Sequence, residues 1–230
     1  MIPLEIFIIV VVVLLVVNYF IFQYGRKKGA EDFANLCFIA GLMGKTEAFS
    51  RYNKYSEPGG IVFVGDSITQ DFNVYEYFPK YKVYNRGIGA DTSRGVLGRL
   101  NESVFELKPK KVFLNIGTND FELINDGLDA IFSRIKEIIE KISNSDKNLE
   151  LYFISIYPVN PTISNSVGKR NNEDIKELNN RISNIKGIKY LNIYDLLIKD
   201  GYLNPDYTIE GLHMNQNGYE IIKNETIKHF

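Results

Sequence analysis

Apolar residues along this chain form three kinds of run. The first is nearly continuous: IFIIVVVVLLVVNYFIF, Ile6 to Phe22, broken only by Asn18 and Tyr19. With Ile2 to Glu5 it approaches the roughly 20 residues that a membrane-crossing helix needs. It also lacks the polar face that a surface helix of a soluble domain carries. Arg26, Lys27 and Lys28 follow at once, whereas a secretory signal carries its basic residues before the apolar stretch and a small-residue cleavage site after it. The pattern predicts an uncleaved anchor over 1–28, a single-pass transmembrane helix. Its three cations are expected to hold the rest of the chain on the cytoplasmic side.

The second kind of run has helical spacing. Phe33, Leu36, Cys37, Ala40 and Met43 predict an amphipathic helix within a helical linker, 29–58, docked on the chain's own domain. SEPGG, Ser56 to Gly60, then punctuates the chain. The third kind is short and strand-like, at Ile61–Val64, Lys82–Tyr84, Lys111–Ile116, Leu149–Ile156 and Ile188–Ile193. Helical patterns follow at Thr92–Leu100, Leu128–Ile142, Asn172–Ile185 and Gly218–Lys228, the second with Ile131, Ile135, Ile138, Ile139 and Ile142 on one face. Strands alternating with helices imply parallel pairing with both faces of the sheet covered. The expectation over 59–230 is therefore an α/β domain with a flavodoxin-like, doubly wound, five-stranded parallel sheet. In such a sheet ligands bind outside the carboxyl ends of the strands.

Charge and composition narrow the chemistry. The 27 basic and 28 acidic residues nearly cancel, leaving no basic footprint for nucleic acid. One cysteine, Cys37, allows no internal disulfide. Two histidines and that cysteine are too few for a typical zinc cluster. Catalysis is expected to run on side chains, with no metal and no cofactor.

Four stretches fall at the carboxyl ends of strands or just before the last helix: GDS at Gly65–Ser67, NRGIGADTS at Asn85–Ser93, GTND at Gly117–Asp120 and TIEGLHMNQNGY at Thr208–Tyr219. Singly, each has a plain structural explanation. Ser67 with Gln70 three residues on fits a helix capping box, Asn119 and Asp120 are ordinary turn residues, and GIGADT is a poor dinucleotide turn because Thr92 replaces its third glycine. His229, beside Phe230, reads as a surface or satisfied residue. Together, however, they supply a nucleophile, a base, an acid to orient the base and oxyanion donors, which is what serine hydrolysis requires.

In that combination and order, from about Gly59 to Tyr219, the chain resembles the SGNH, or GDSL, hydrolase family. The resemblance implies the SGNH fold, with Ser67 as nucleophile, His213 as general base and then acid, and Glu210 as the orienting acid. It implies oxyanion donors at Ser67 N–H, Ala90 N–H and the Asn119 side chain. A serine at a helix start gains from the positive end of the helix dipole, and a neutral imidazole can take its proton. Two positions depart from the family pattern. Ala90 stands where glycine is usual, so its N–H serves if φ is negative. Glu210 stands where aspartate is usual, one methylene longer; without it a Ser67–His213 dyad would work more slowly.

NRGIGADTS with GTND is similar to platelet-activating-factor acetylhydrolase-like and lysophospholipase-like bacterial members. The resemblance therefore implies a membrane-anchored ester hydrolase acting on short acyl or acetyl esters, small-molecule or lipid. A sugar O-acetyl esterase is the near alternative, and thioesters stay open. From a different class comes a catalytically silent SGNH fold that binds an acylated ligand, to which only Glu210 points. A flavodoxin-like nucleotide binder would need a Gly-rich phosphate loop on its first strand, which the chain lacks.

Overall fold

A computed structural model describes residues 3–124 and 126–230, apart from the side chains of 4, 5, 7–11, 31, 34, 35, 37 and 38. The chain divides into two units, Met1–Met43 and Gly44–Phe230. The first unit is helical and holds most of α1 (Leu4–Asn53). Its apolar residues from Val12 to Val17 and from Tyr19 to Phe22 are exposed, as are Phe33, Leu36, Ile39 and Met43.

Helix α1 does not end at residue 28. The helix continues through Arg26, Lys27 and Lys28, because Gly25 and Gly29 each weaken a helix by only about 1 kcal/mol and no proline stops it. Among the described residues no helix is long and apolar enough to cross a membrane. The run over 6–22 lies partly outside them, at the side chains of 7–11.

In the second unit five parallel strands lie in the order β2-β1-β3-β4-β5, with β1 at Ile61–Gly65, β2 at Val83–Gly87, β3 at Lys111–Asn115, β4 at Glu150–Ile154 and β5 at Lys189–Leu191. This is the doubly wound order expected, and each predicted strand forms within a few residues of its apolar run. Helices α2 (Ser67–Asp71) and α3 (Val74–Tyr77) follow β1, and α4 (Ser93–Gly98) and α5 (Leu100–Ser103) follow β2. After β3 comes α6 (Leu128–Ser143), after β4 α7 (Asn172–Ser183), and after β5 α8 (Tyr194–Leu197) and α9 (Gln216–Thr226).

Alternation along β1 sends Val62 and Val64 to one core, with Val112, Leu114 and the five isoleucines of α6, and Ile61 and Phe63 to the other. On the second face Phe63, Phe113 and Tyr152 sit in register across β1, β3 and β4. Their rings stack at 4.8 and 4.7 Å between centroids. Phe230 packs against Phe63, Phe78 and Phe113, and Lys111 Nζ donates to the His229 carbonyl at 2.6 Å. His229 is half-buried with its ring 5.1 Å from that of Tyr152. Burial on both faces holds the strands rigidly, and the central strands β1 and β3 deliver GDS and GTND to one edge of the sheet.

Candidate active site

At the end of β1 the chain turns directly into α2. Gly65 is required there, because a Cβ would lie 2.2 Å from Thr69 Oγ1 and 2.3 Å from the Asn115 carbonyl. The residue that caps α2 is Asp66, whose Oδ1 accepts from Ile68 N–H at 3.0 Å. Ser67 is thus the first helical residue rather than the cap, and the capping box does not form. Its hydroxyl is free to face His213, with Oγ 3.0 Å from Nε2. Gln70, the other half of that box, reaches instead to the Asn85–Ser93 segment, where its Oε1 accepts from Gly89 N–H at 2.9 Å and from Lys45 Nζ. Because α2 is only five residues long, its dipole contributes less to Ser67 than a full helix would.

His213 is set by a tight loop between Thr208 and Met214. Thr208 Oγ1 donates to the His213 carbonyl at 2.7 Å and accepts from Gly211 N–H at 2.8 Å. Gly211, at φ +93°, makes the reversal that brings Glu210 back onto the ring. Glu210 Oε1 lies 2.5 Å from His213 Nδ1 and accepts from the His213 N–H at 3.1 Å. With Nδ1–H donating to the carboxylate, Nε2 presents its lone pair to the Ser67 hydroxyl. The longer side chain thus reaches the ring. Asp206 is exposed and makes no hydrogen bond to His213.

Ala90 departs from expectation. Its φ is +57°, in the left-handed region rather than at negative φ, where an L-residue costs roughly 1–2 kcal/mol. Among the described residues its N–H donates to no protein group. The next residue, Asp91, is buried in an ion pair with Arg99 at 2.7 Å, and Arg99 also donates to the carbonyls of Arg86 and Gly65, at 2.9 and 3.0 Å. That guanidinium ties the ends of β1 and β2 to the loop that follows β2.

Asn119 is buried, with its Nδ2 donating to the Asp91 carbonyl at 2.9 Å and its Oδ1 accepting from Arg170 Nη2 at 2.7 Å. Asp120, fully buried, accepts from Ser93 N–H at 2.9 Å, from the Ser93 hydroxyl, and from Arg134 Nη2 at 3.0 Å. The stretches 85–93 and 117–120 are thereby sewn together. Ser67, His213 and Glu210 are in direct contact. Ala90 and Asn119 meet through Asp91, and the Ala90 loop joins the Ser67 helix through Gln70.

Sequence reasoning missed the parts played by Asp66, Asp120, Arg134 and Arg170, and placed Gln70 in a capping box. Asp66 and Asp120 stood within the GDS and GTND stretches, and Arg170 stands directly before the Asn171 cap of α7, a position where the helix dipole disfavours a cation. Asp66 is wholly buried, with no partner for Oδ2. Burial pushes its carboxyl up to about 7, opposed by the Ile68 N–H, raised further by Asp91 and pulled back by His213 and Arg170.

A hydroxyl on a neutral imidazole, whose far nitrogen is held by a carboxylate, can attack an acyl carbon as it gives up its proton. Residues 63–221 match the model of the GDSL-like Lipase/Acylhydrolase family. The platelet-activating factor acetylhydrolase IB subunit alpha2 of Rattus norvegicus is 26% identical over 198 residues, covering 77% of this chain and 81% of that protein. An N-acylneuraminate cytidylyltransferase of Escherichia coli is 27% identical over 177 residues, 75% of this chain, but the chain spans only 41% of that relative's length. A solved GDSL-like lipase from Bacteroides thetaiotaomicron superposes with a TM-score of 0.70 at 25% identity, covering 80% of this chain and 95% of the other. With more than half its length matched by that family model, this chain belongs to the GDSL-like lipase/acylhydrolase family and is a carboxylic ester hydrolase.

Proposed function

We propose that the chain hydrolyses short acyl or acetyl esters through a Ser67–His213–Glu210 triad. The observation that carries this reading is the continuous chain of contacts from Ser67 Oγ through His213 Nε2 and Nδ1 to the Glu210 carboxylate, at 3.0 and 2.5 Å. Ser67 Oγ attacks the ester carbonyl while Nε2 takes its proton, and the imidazolium that forms is held by Glu210. The tetrahedral oxyanion is received by the N–H of Ser67, by the second Nδ2–H of Asn119 and by the N–H of Ala90, which at φ +57° still has no protein acceptor among the described residues. Nε2 then returns the proton to the leaving alkoxide. Water, activated by the same nitrogen, releases the acid from Ser67.

A short acyl group suits a site whose base is partly open, the His213 side chain being 35% exposed. A recess of about 360 Å³ beside Gln70 is lined by Phe49, Tyr52, Phe72 and Tyr75, but by neither Ser67 nor His213. The acyl group is therefore not assigned to it. The acetylhydrolase relative supports an acetyl ester, on a lipid or a small alcohol. Attachment to a lipid surface rests on the apolar run over 6–22 alone. Recovery of the full chain in the soluble fraction of carbonate-washed cells would remove it. The silent binding-module reading leaned on Glu210, and the Glu210–His213 contact takes that support away.

The decisive experiment is Ser67→Ala, read by p-nitrophenyl acetate turnover and by fluorophosphonate labelling. Both should disappear while the circular dichroism spectrum is kept, since loss of such a nucleophile costs several orders of magnitude in rate. Turnover near the wild-type rate would refute the mechanism.

A further inference from the structure

Arg170 is a buried cation without a counter-ion in contact. It is 6% exposed, and among the described residues no carboxylate lies within 4.0 Å of it. Its hydrogen bonds run to three neutral acceptors: Nε to the Thr118 carbonyl at 3.0 Å, Nη1 to the Val167 carbonyl at 2.8 Å and Nη2 to Asn119 Oδ1 at 2.7 Å. Burial pulls the guanidinium below its ordinary value, and Glu122 and Asp66 only partly oppose this. A charge buried against neutral groups is destabilising. A brace for two carbonyls needs donors but no charge. A charge is useful where negative charge has yet to form.

The two ends of the Asn119 amide have opposite requirements met. Arg170 can only donate, so it demands the amide oxygen; the Asp91 carbonyl can only accept, so it demands an N–H. The amide is locked against a flip, with one N–H engaged and the other available. We propose that Arg170 is a positioning residue for the oxyanion donor, fixing the Asn119 amide so that its second Nδ2–H serves the oxyanion formed at Ser67, and polarising that amide so that it donates more strongly as the charge develops. This rests on the roles proposed above for Ser67 and Asn119. Hydrogen bonds in such a chain strengthen one another, and the field of a buried charge is little screened.

The test is a double-mutant cycle on the full chain, with kcat and KM for p-nitrophenyl acetate measured for Arg170→Met, Arg170→Lys, Asn119→Ala and the two double variants. Arg170→Met should lower kcat about tenfold or more with KM within about twofold, since the interaction matters only in the transition state. Arg170→Lys keeps the charge but not the planar fork, and should recover part of the loss. In the Asn119→Ala background, Arg170→Met should cost less than about threefold. An equal fall in both backgrounds, an effect confined to KM, or a lysine no better than methionine would overturn the proposal. If Arg170→Met fails to fold, Arg170→Gln, which keeps a donor without the charge, enters the same cycle. Asn119→Ala at the wild-type kcat would instead remove Asn119 as the donor and sink the underlying reading. Failure of the Arg170 proposal alone leaves Asn119→Ala impaired.

Discussion

Glu210→Gln isolates the contribution of one charge to the proposed mechanism. In the resting enzyme Glu210 faces a neutral ring; during attack it faces an imidazolium, so its charge acts mainly in the transition state. Its Oε1 lies 2.5 Å from Nδ1, which puts the charge centres roughly 4 Å apart. At an effective dielectric constant of about 20 the attraction is about 4 kcal/mol. The two side chains are 26% and 35% exposed, and solvent screening brings this to about 2–3 kcal/mol. That corresponds to about a 30- to 160-fold fall in kcat. Glutamine can also turn its NH₂ to Nδ1 and favour the tautomer that places the proton on Nε2, which adds to the loss. Glu210→Asp keeps the charge but withdraws it by about 1.5 Å. The loop is pinned, with Asn160 N–H donating to the Gly211 carbonyl at 2.8 Å and Ser166 Oγ to the Glu210 carbonyl at 3.1 Å. Aspartate should therefore recover only part of the rate. The assay is kcat for p-nitrophenyl acetate at pH 8, with burst amplitude to count active sites and Asp206→Asn as the control expected to match wild type. A kcat for Glu210→Gln within twofold of wild type refutes the charge argument. If Asp206→Asn is then the crippled variant, the acid is misassigned; if neither matters, Ser67 and His213 work as a dyad.

Asn119→Ala should lower kcat by about 10²–10³-fold with a smaller change in KM, because the amide binds charge that exists only in the transition state. It should also lower stability by about 1–3 kcal/mol in urea melts, since Arg170 Nη2 loses its acceptor; a change in KM alone would make Asn119 a substrate-binding residue. Ala90→Gly relieves a left-handed alanine at φ +57° and should stabilise the fold by up to about 1 kcal/mol with kcat within about threefold. A destabilised variant would contradict that backbone geometry. Asp66, pushed up to about 7, is an acid whose folded value is raised. Between about pH 4 and pH 7 the folded protein keeps a proton that the unfolded chain releases, so stability falls as pH rises through that window. Asp66→Asn should cancel this trend by at most about 4 kcal/mol, and equal pH dependence of the two melting curves would disprove it.

The strands were legible because a sheet covered on both faces writes itself as short continuous apolar runs, and α6 because five isoleucines share one face. The residues of the proposed triad stood out by the order of their motifs: Ser67 and His213 are 146 residues apart, and the topology brings them together. What stayed hidden was set by neighbours distant in sequence. Nothing around Gln70 signals that it reaches Gly89 instead of its own helix terminus, and nothing around Asp120 signals Arg134. The left-handed Ala90 was not legible because alanine carries no local preference for that conformation; its neighbours Gly89 and Asp91 are held by Gln70 and Arg99, both distant in sequence. The continuity of α1 was hidden by Arg26, Lys27 and Lys28, which mark a boundary of polarity but do not end a helix.

The Gln70 bridge has a consequence for how the proposed site keeps its alignment. One five-residue helix carries Ser67 at its start and, one turn later, the oxygen that holds the Gly89 N–H next to Ala90. Asn85 adds to the clamp, donating to the carbonyls of Thr69 and Phe72 at 2.7 and 2.9 Å while accepting from Gly87 N–H at 2.8 Å. The proposed nucleophile and oxyanion loop are therefore tied to one platform, like two instruments bolted to one bench, so a shift of α2 is expected to move them together.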